Sequence, residues 1–129
     1  MKDDEIRALL RRARETLAAA DSLPAVDPNS AASRAYYAAF YAVSALLGRD
    51  GAEFGKHSQV HAAVHRDLVH TGRWDVSLGR DFTALRTQRD VGDYGATMCV
   101  DKEAAEECVA AARRIVMAVL AECSDISEP

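Results

Sequence analysis

Arg89, Asp90, Asp93 and Tyr94 stand together in the run Arg-Asp-Val-Gly-Asp-Tyr, which groups a permanent cation with two carboxylates and a phenol. A guanidinium presents a planar fork of N–H donors that matches phosphate oxygens, and neighbouring carboxylates can orient it. Leu78, Phe82, Leu85 and Arg89 recur at helical spacing, so Arg89 belongs to an apolar stripe that faces a seam. A charged group in that place is costly without a partner. Two readings follow. Arg89 either addresses an anion, or it is a buried strut held by Asp93 or Asp90. In a straight helix, residues five apart differ by about 140° in direction, so Arg89 and Tyr94 do not share a face. Asp93 is the i+4 neighbour of Arg89, and Asp90 that of Tyr94. For all four to converge, the backbone must bend at Gly92, or a second subunit must bring a symmetry-related copy across a cleft.

Other groups that could do chemistry are more scattered. His57, His61 and His65 recur at i, i+4 and i+8, with His70 beyond them. No H-E-x-x-H pattern accompanies them, so a solvated or capping face is expected rather than a metal site. Arg73, Arg80 and Arg86 flank Arg89 in sequence and could form a phosphate-attracting rim. Trp74 could stack a base, although a loop tryptophan folded over a bundle end is the commoner arrangement. The arginines of the first segment (Arg7, Arg11, Arg12, Arg14) read as a solvated face with partners such as Glu15. There is no P-loop, dinucleotide fingerprint, Ser-His-Asp arrangement or zinc ribbon in the sequence.

Five helical segments must position these groups. The first spans about Asp3 to Ser22, with Ile6, Leu9, Leu10, Ala13, Leu17 and Ala20 on one face and three acids in its first turn. Asp27-Pro28 reads as an N-cap followed by proline at the first helical position. The second helix, about Pro28 to Leu47, is apolar nearly all round. It is therefore expected at the centre of the bundle and at a subunit interface. Ser58 is the expected cap of a third helix reaching about His70, with Val60, Val64 and Leu68 inward. The fourth begins near Ser77 and runs to about Arg89 or beyond, with Gly92 and Gly95 weakening its end. Asp101 caps the fifth, about Lys102 to Glu122, with Cys108, Ala111, Ala112, Ile115, Val119 and Leu120 inward. The polar tail from Ser124 is expected to fray. Short connections favour antiparallel packing, which gives an all-α, antiparallel four-helix bundle with one additional helix.

Composition narrows the classes. A chain of 129 residues is expected to be one domain, residues 1–129, able to bury a core without disulfides or metal. Its formal net charge of −4 argues against generic, charge-driven nucleic-acid binding, though not against a local basic cleft. Cys99, Cys108 and Cys123 have no metal-like spacing, and an odd count suits reduced thiols in a cytoplasmic protein. No apolar run is long enough for a membrane span, no signal peptide is evident, and no cofactor is expected.

The Arg89-to-Tyr94 run resembles the signature of the HEPN family, small helical proteins with an arginine, a polar neighbour and a histidine several positions on. Arg89 and Asp90 fit, while Tyr94 stands where the histidine is expected. The block from Arg34 to Ala42 (Arg-Ala-Tyr-Tyr-Ala-Ala-Phe-Tyr-Ala) and the Lys56-His57-Ser58 helix entry match in order. Together they are similar to the bacterial and archaeal branch whose motif ends Asp-Tyr-Gly, here Asp93-Tyr94-Gly95. The resemblance implies a homodimer with paired motifs lining a cleft. It also implies a role in a toxin–antitoxin-like or minimal-nucleotidyltransferase-associated module, with RNA or a nucleotide as ligand. Active relatives are metal-independent ribonucleases, in which the arginine contacts the scissile phosphate. By that resemblance the candidate site comprises Arg89, Tyr94, Asp90, Asp93 and His57. A phenol ordinarily titrates near about 10, not near the about 6.5 of an imidazole, so Tyr94 is a poor substitute base. Tyr94 could instead accept a nucleotide from a partner nucleotidyltransferase. His57, near a helix start in a matching block, is the best histidine to compensate.

Overall fold

The computed structural model describes residues 1–126. Five α-helices and one π-helical segment make up the fold: α1 (Asp3–Asp21), α2 (Pro28–Arg49), α3 (His57–Ala63), a π-helix (Val64–Val69), α4 (Val76–Tyr94) and α5 (Lys102–Glu122). Among the described residues there is no strand.

Helix α2 is the axle, packing against α1, α4 and α5. Its alanines make this possible, since Ala31, Ala32, Ala35, Ala38, Ala39, Ala42 and Ala45 are all fully buried and let neighbouring helices approach closely. Asp27 caps it as expected, accepting from the Ser30 N–H at 3.1 Å and its hydroxyl at 2.6 Å, with Pro28 at the helix start. Asp101 likewise accepts from the Ala104 N–H at 2.7 Å to begin α5. Helix α4 starts at Val76, and the Asp75 carboxylate accepts from the Ser77 N–H. In α5 the core positions include Val116, while Leu120 is only partly buried.

The third segment departs from expectation. It begins at His57, not after Ser58, and the Gln59 side chain accepts from the Gly55 and Lys56 N–H groups at 3.1 and 3.2 Å. From Val64 it widens into π geometry, closed by the His70 N–H donating to the His65 carbonyl at 2.9 Å. Val64 and Leu68 within it are both buried in the core. Alongside it, Gly79 of α4 lies so close that a Cβ there would sit 2.9 Å from Val69 Cγ2.

The bend at Gly92, one of the two ways the four motif groups could converge, does not form: α4 runs unbroken through it to Tyr94. Gly92 serves close approach instead, because a Cβ would lie 2.8 Å from the Asn29 carbonyl oxygen at the start of α2. Beyond α5, the Arg7 guanidinium donates to the Ile126 carbonyl at 3.1 Å, and Arg49 pairs with Asp125. The remainder of the tail expected to fray, 127–129, lies outside the described residues.

Candidate functional site

The apolar stripe of α4 turns Arg89 inward against α2, where it is 9% exposed. Its guanidinium carbon lies 4.7 Å from the Tyr36 ring centroid, 5.7 Å from that of Tyr37 and 6.0 Å from that of Tyr94. Such distances place a cation on aromatic faces, which stabilises it without cancelling its charge. Nη1 donates to the Tyr37 hydroxyl at 3.0 Å. Nε lies 2.9 Å from Asp90 Oδ1, but its N–H is not aimed at that oxygen and finds no acceptor among the described residues. Burial opposes the charge, yet Tyr37, Asp90 and Tyr36 outweigh it and hold the guanidinium above its usual range.

Of the other motif residues, Asp90 and Tyr94 stay near Arg89 and Asp93 does not. Asp90, beside Nε, is half exposed. Asp93, the expected i+4 partner, instead accepts from the Ser33 hydroxyl at 3.4 Å and ties α4 to α2. The reason is reach: the side chain of Arg89 extends toward the tyrosines of α2, away from the next turn of its own helix. Tyr94 is 74% exposed beside Met98, so the unbent helix leaves it at the surface on the rim of the arginine.

The hub of the site is a residue that the Arg-to-Tyr run does not contain. Tyr36 is fully buried in α2, and its hydroxyl lies 3.0 Å from His61 Nε2 and 3.3 Å from His57 Nδ1. The His61 ring stacks on Phe82 at 4.1 Å, and His57 stacks on Phe40 at 4.1 Å. Thus the histidine face expected to be solvated is divided. His61 is 7% exposed, His57 is partly exposed, and His65 turns to the Thr83 hydroxyl at 3.2 Å. Burial, with Arg86, His65, His57 and Arg89 adding to it, pulls His61 down to about 4. His57 is also lowered, by burial first and then by Arg89 and Arg86. Burial pushes the Tyr36 phenol up to about 12. All three groups are therefore neutral at neutral pH.

Of the three arginines that could form a rim, Arg86 acts on this cluster electrostatically. Arg73 does not: it pairs with Asp50 at 2.6 Å and Glu122 at 2.7 Å, locking the ends of α2 and α5 together. Arg80 lines a separate groove with His65 and Val69. Trp74 is buried and donates from Nε1 to Glu122 at 3.0 Å, so it closes the bundle end and is no stacking platform. Half-buried Tyr37 and Tyr41 carry Arg34 and Arg12 on their faces at 5.1 and 4.6 Å. The signals that could have identified the hub were the i, i+4 pair His57/His61 and the tandem tyrosines at 36 and 37.

A small all-helical bundle with an arginine set on tandem tyrosines defines the class of protein. The sequence model of the family described as "HEPN domain" matches residues 6–123. The chain is 38% identical over 119 residues to a UPF0332 protein of Thermotoga maritima, covering 92% of this chain and 90% of that protein. It is 33% identical over 103 residues to a Methanocaldococcus jannaschii protein described as a "putative toxin", covering 79% of this chain and 70% of that one. The chain belongs to the HEPN family.

Proposed function

We propose that this chain is the HEPN component of a toxin–antitoxin-like or minimal-nucleotidyltransferase-associated module. In it, Arg89 binds the phosphate of RNA or a nucleotide in a cleft between two copies. The observation that carries this reading is the nearly buried guanidinium whose Nε–H is unmatched and whose one nearby carboxylate is half exposed. A phosphate oxygen that displaces half-exposed Asp90 would supply the aligned acceptor this N–H lacks. Asp90 orients the fork, Asp93 fixes α4 on α2, and exposed Tyr94 offers a hydroxyl to a nucleotide-transferring partner. The partly exposed aromatic face of α2 and the exposed Met98 beside Tyr94 supply surface for a second copy. Similarity to the Methanocaldococcus jannaschii protein described as a "putative toxin" supports the toxin-like role. The test is fluorescence anisotropy with a labelled short RNA, on wild type and Arg89→Met, with light scattering on both. Binding reduced at least tenfold in a dimeric, folded variant supports the reading. Equal affinity, or a wild-type monomer at micromolar concentration, overturns it.

One observation favours a second reading, a metal-independent endoribonuclease: neutral His57 shares the Tyr36 and Tyr37 rings with Arg89. A neutral imidazole and a phosphate-binding cation thereby belong to one aromatic cluster although the motif lacks its histidine. RNA cleavage in the presence of a chelator, lost in both Arg89→Met and His57→Ala, distinguishes this reading from binding alone.

A further inference from the structure

Tyr36 has one hydroxyl proton and two imidazoles within reach, and that inequality has a chemical result. The hydroxyl donates to one ring nitrogen and accepts an N–H from the other, so the two histidines are forced into complementary roles. The contact to His61 Nε2, at 3.0 Å, is shorter than that to His57 Nδ1, at 3.3 Å. A donated O–H bond is characteristically the shorter kind. The His61 ring is also the more deeply buried, stacked on Phe82 and near-parallel to Tyr36.

We propose that His61, acting through Tyr36, is a positioning residue that holds His57 in its Nδ1–H tautomer, leaving His57 Nε2 as a proton-accepting lone pair beside Arg89. The assignment follows from the shared hydroxyl. Tyr36 donates to His61 Nε2, so it must accept from His57 Nδ1–H, and the second His57 nitrogen is left bare. The groups facing His57 agree with this. From α4 come the Arg89 and Arg86 cations, from α2 the Tyr36 and Tyr37 phenols, and from its own helix the neutral His61. Burial, and then these two cations, disfavour the imidazolium.

This inference rests on the ribonuclease reading for its purpose, and it gives that reading a base. Nε2 takes the proton of a ribose 2′-hydroxyl, the 2′-oxygen bonds to phosphorus, and the P–O5′ bond breaks. The proton then passes from the imidazolium to the departing 5′-oxygen. Atoms and charge balance without metal, and Arg89 neutralises the phosphorane oxygens.

The test reads the tautomer directly, by two-dimensional ¹⁵N–¹H correlation of the histidine rings in ¹⁵N-labelled protein at neutral pH without RNA. Wild type is expected to show His57 protonated at Nδ1 and His61 bare at Nε2. In His61→Phe the stacking on Phe82 remains but the acceptor is gone, so the Tyr36 hydroxyl turns to His57 and its tautomer inverts to Nε2–H. In Tyr36→Phe the rings keep their packing, and His57 becomes a mixture of tautomers whose titration midpoint moves. His57 protonated at Nε2 in wild type, or unchanged in both variants, overturns the proposal. Cleavage is measured on the same samples in chelator. The expected tautomers with no cleavage sink the ribonuclease reading and leave the positioning intact. Cleavage that falls at least tenfold in His61→Phe, with the inverted tautomer, supports both.

Discussion

Replacing Arg89 by methionine separates a site from a strut, and the contacts allow its cost to be worked out. The variant loses the charge-assisted bond to the Tyr37 hydroxyl, worth about 1.5–3 kcal/mol. It loses the cation on the Tyr36 face, worth about 2 kcal/mol when desolvated. The ion pair with half-exposed Asp90 adds no more than about 1 kcal/mol. Against these stands the desolvation of a nearly buried guanidinium, several kcal/mol in magnitude, together with an unmatched Nε–H that costs about 1–3 kcal/mol. Methionine fills the same channel and keeps about 0.3–1.5 kcal/mol of sulfur–aromatic contact with the tyrosine rings. Asp90 and Tyr37, left behind, both reach water, so the usual penalty for stranding a buried charge does not arise. The opposing terms are of similar size and offset one another to within a few kcal/mol, so the net loss is expected to stay below about 3 kcal/mol. Urea unfolding followed by far-UV circular dichroism and by the fluorescence of buried Trp74 measures it. A loss above about 3 kcal/mol would mean that the arginine holds the bundle together, and the reasoning that it is retained for a ligand would fail.

His61 couples stability to pH. Its folded pKa of about 4 lies below the about 6.5 of an unfolded imidazole, so the unfolded state binds more protons between those values. Its contribution is full above about pH 6.5 and lost as pH falls toward 4, about 3 kcal/mol over that window. His57 shifts in the same direction. The stability difference between pH 7 and pH 4.5 is therefore expected to shrink by roughly 2 kcal/mol in His61→Phe, as measured by urea titration at both values; an unchanged difference contradicts the assignment. Gly92→Ala gains up to about 1 kcal/mol of helix propensity but drives a methyl against the Asn29 carbonyl, so a net loss of about 1–2 kcal/mol is expected from denaturant melts; a stabilised variant would mean that α4 and α2 are less tightly apposed. Burial raises the Cys108 thiol to about 11 and raises Cys123 as well, while Cys99 is exposed. Mass spectrometry after brief iodoacetamide treatment is expected to find Cys99 alone modified in the folded protein and all three thiols after unfolding.

The number and order of helices were legible from the chain because helix formation is local. Asp27-Pro28 and Asp101 cap where their side chains must, and the i, i+3, i+4 recurrence of Ile6, Leu10, Ala13 and Leu17 marks a face whatever packs on it. The inward turn of Arg89 was legible for the same reason. Periodicity says which side of a helix is covered, but not by what. Only the packing of α2 between α3 and α4 brought the Tyr36 hydroxyl to His57 and His61, residues 21 and 25 positions away, and set its ring under Arg89. Only packing sent Arg73 to Asp50 and Glu122, and brought Gly92 of α4 so close to Asn29 that no side chain fits there. The π-helix from Val64 to Val69 belongs with these, since it is written in no single residue.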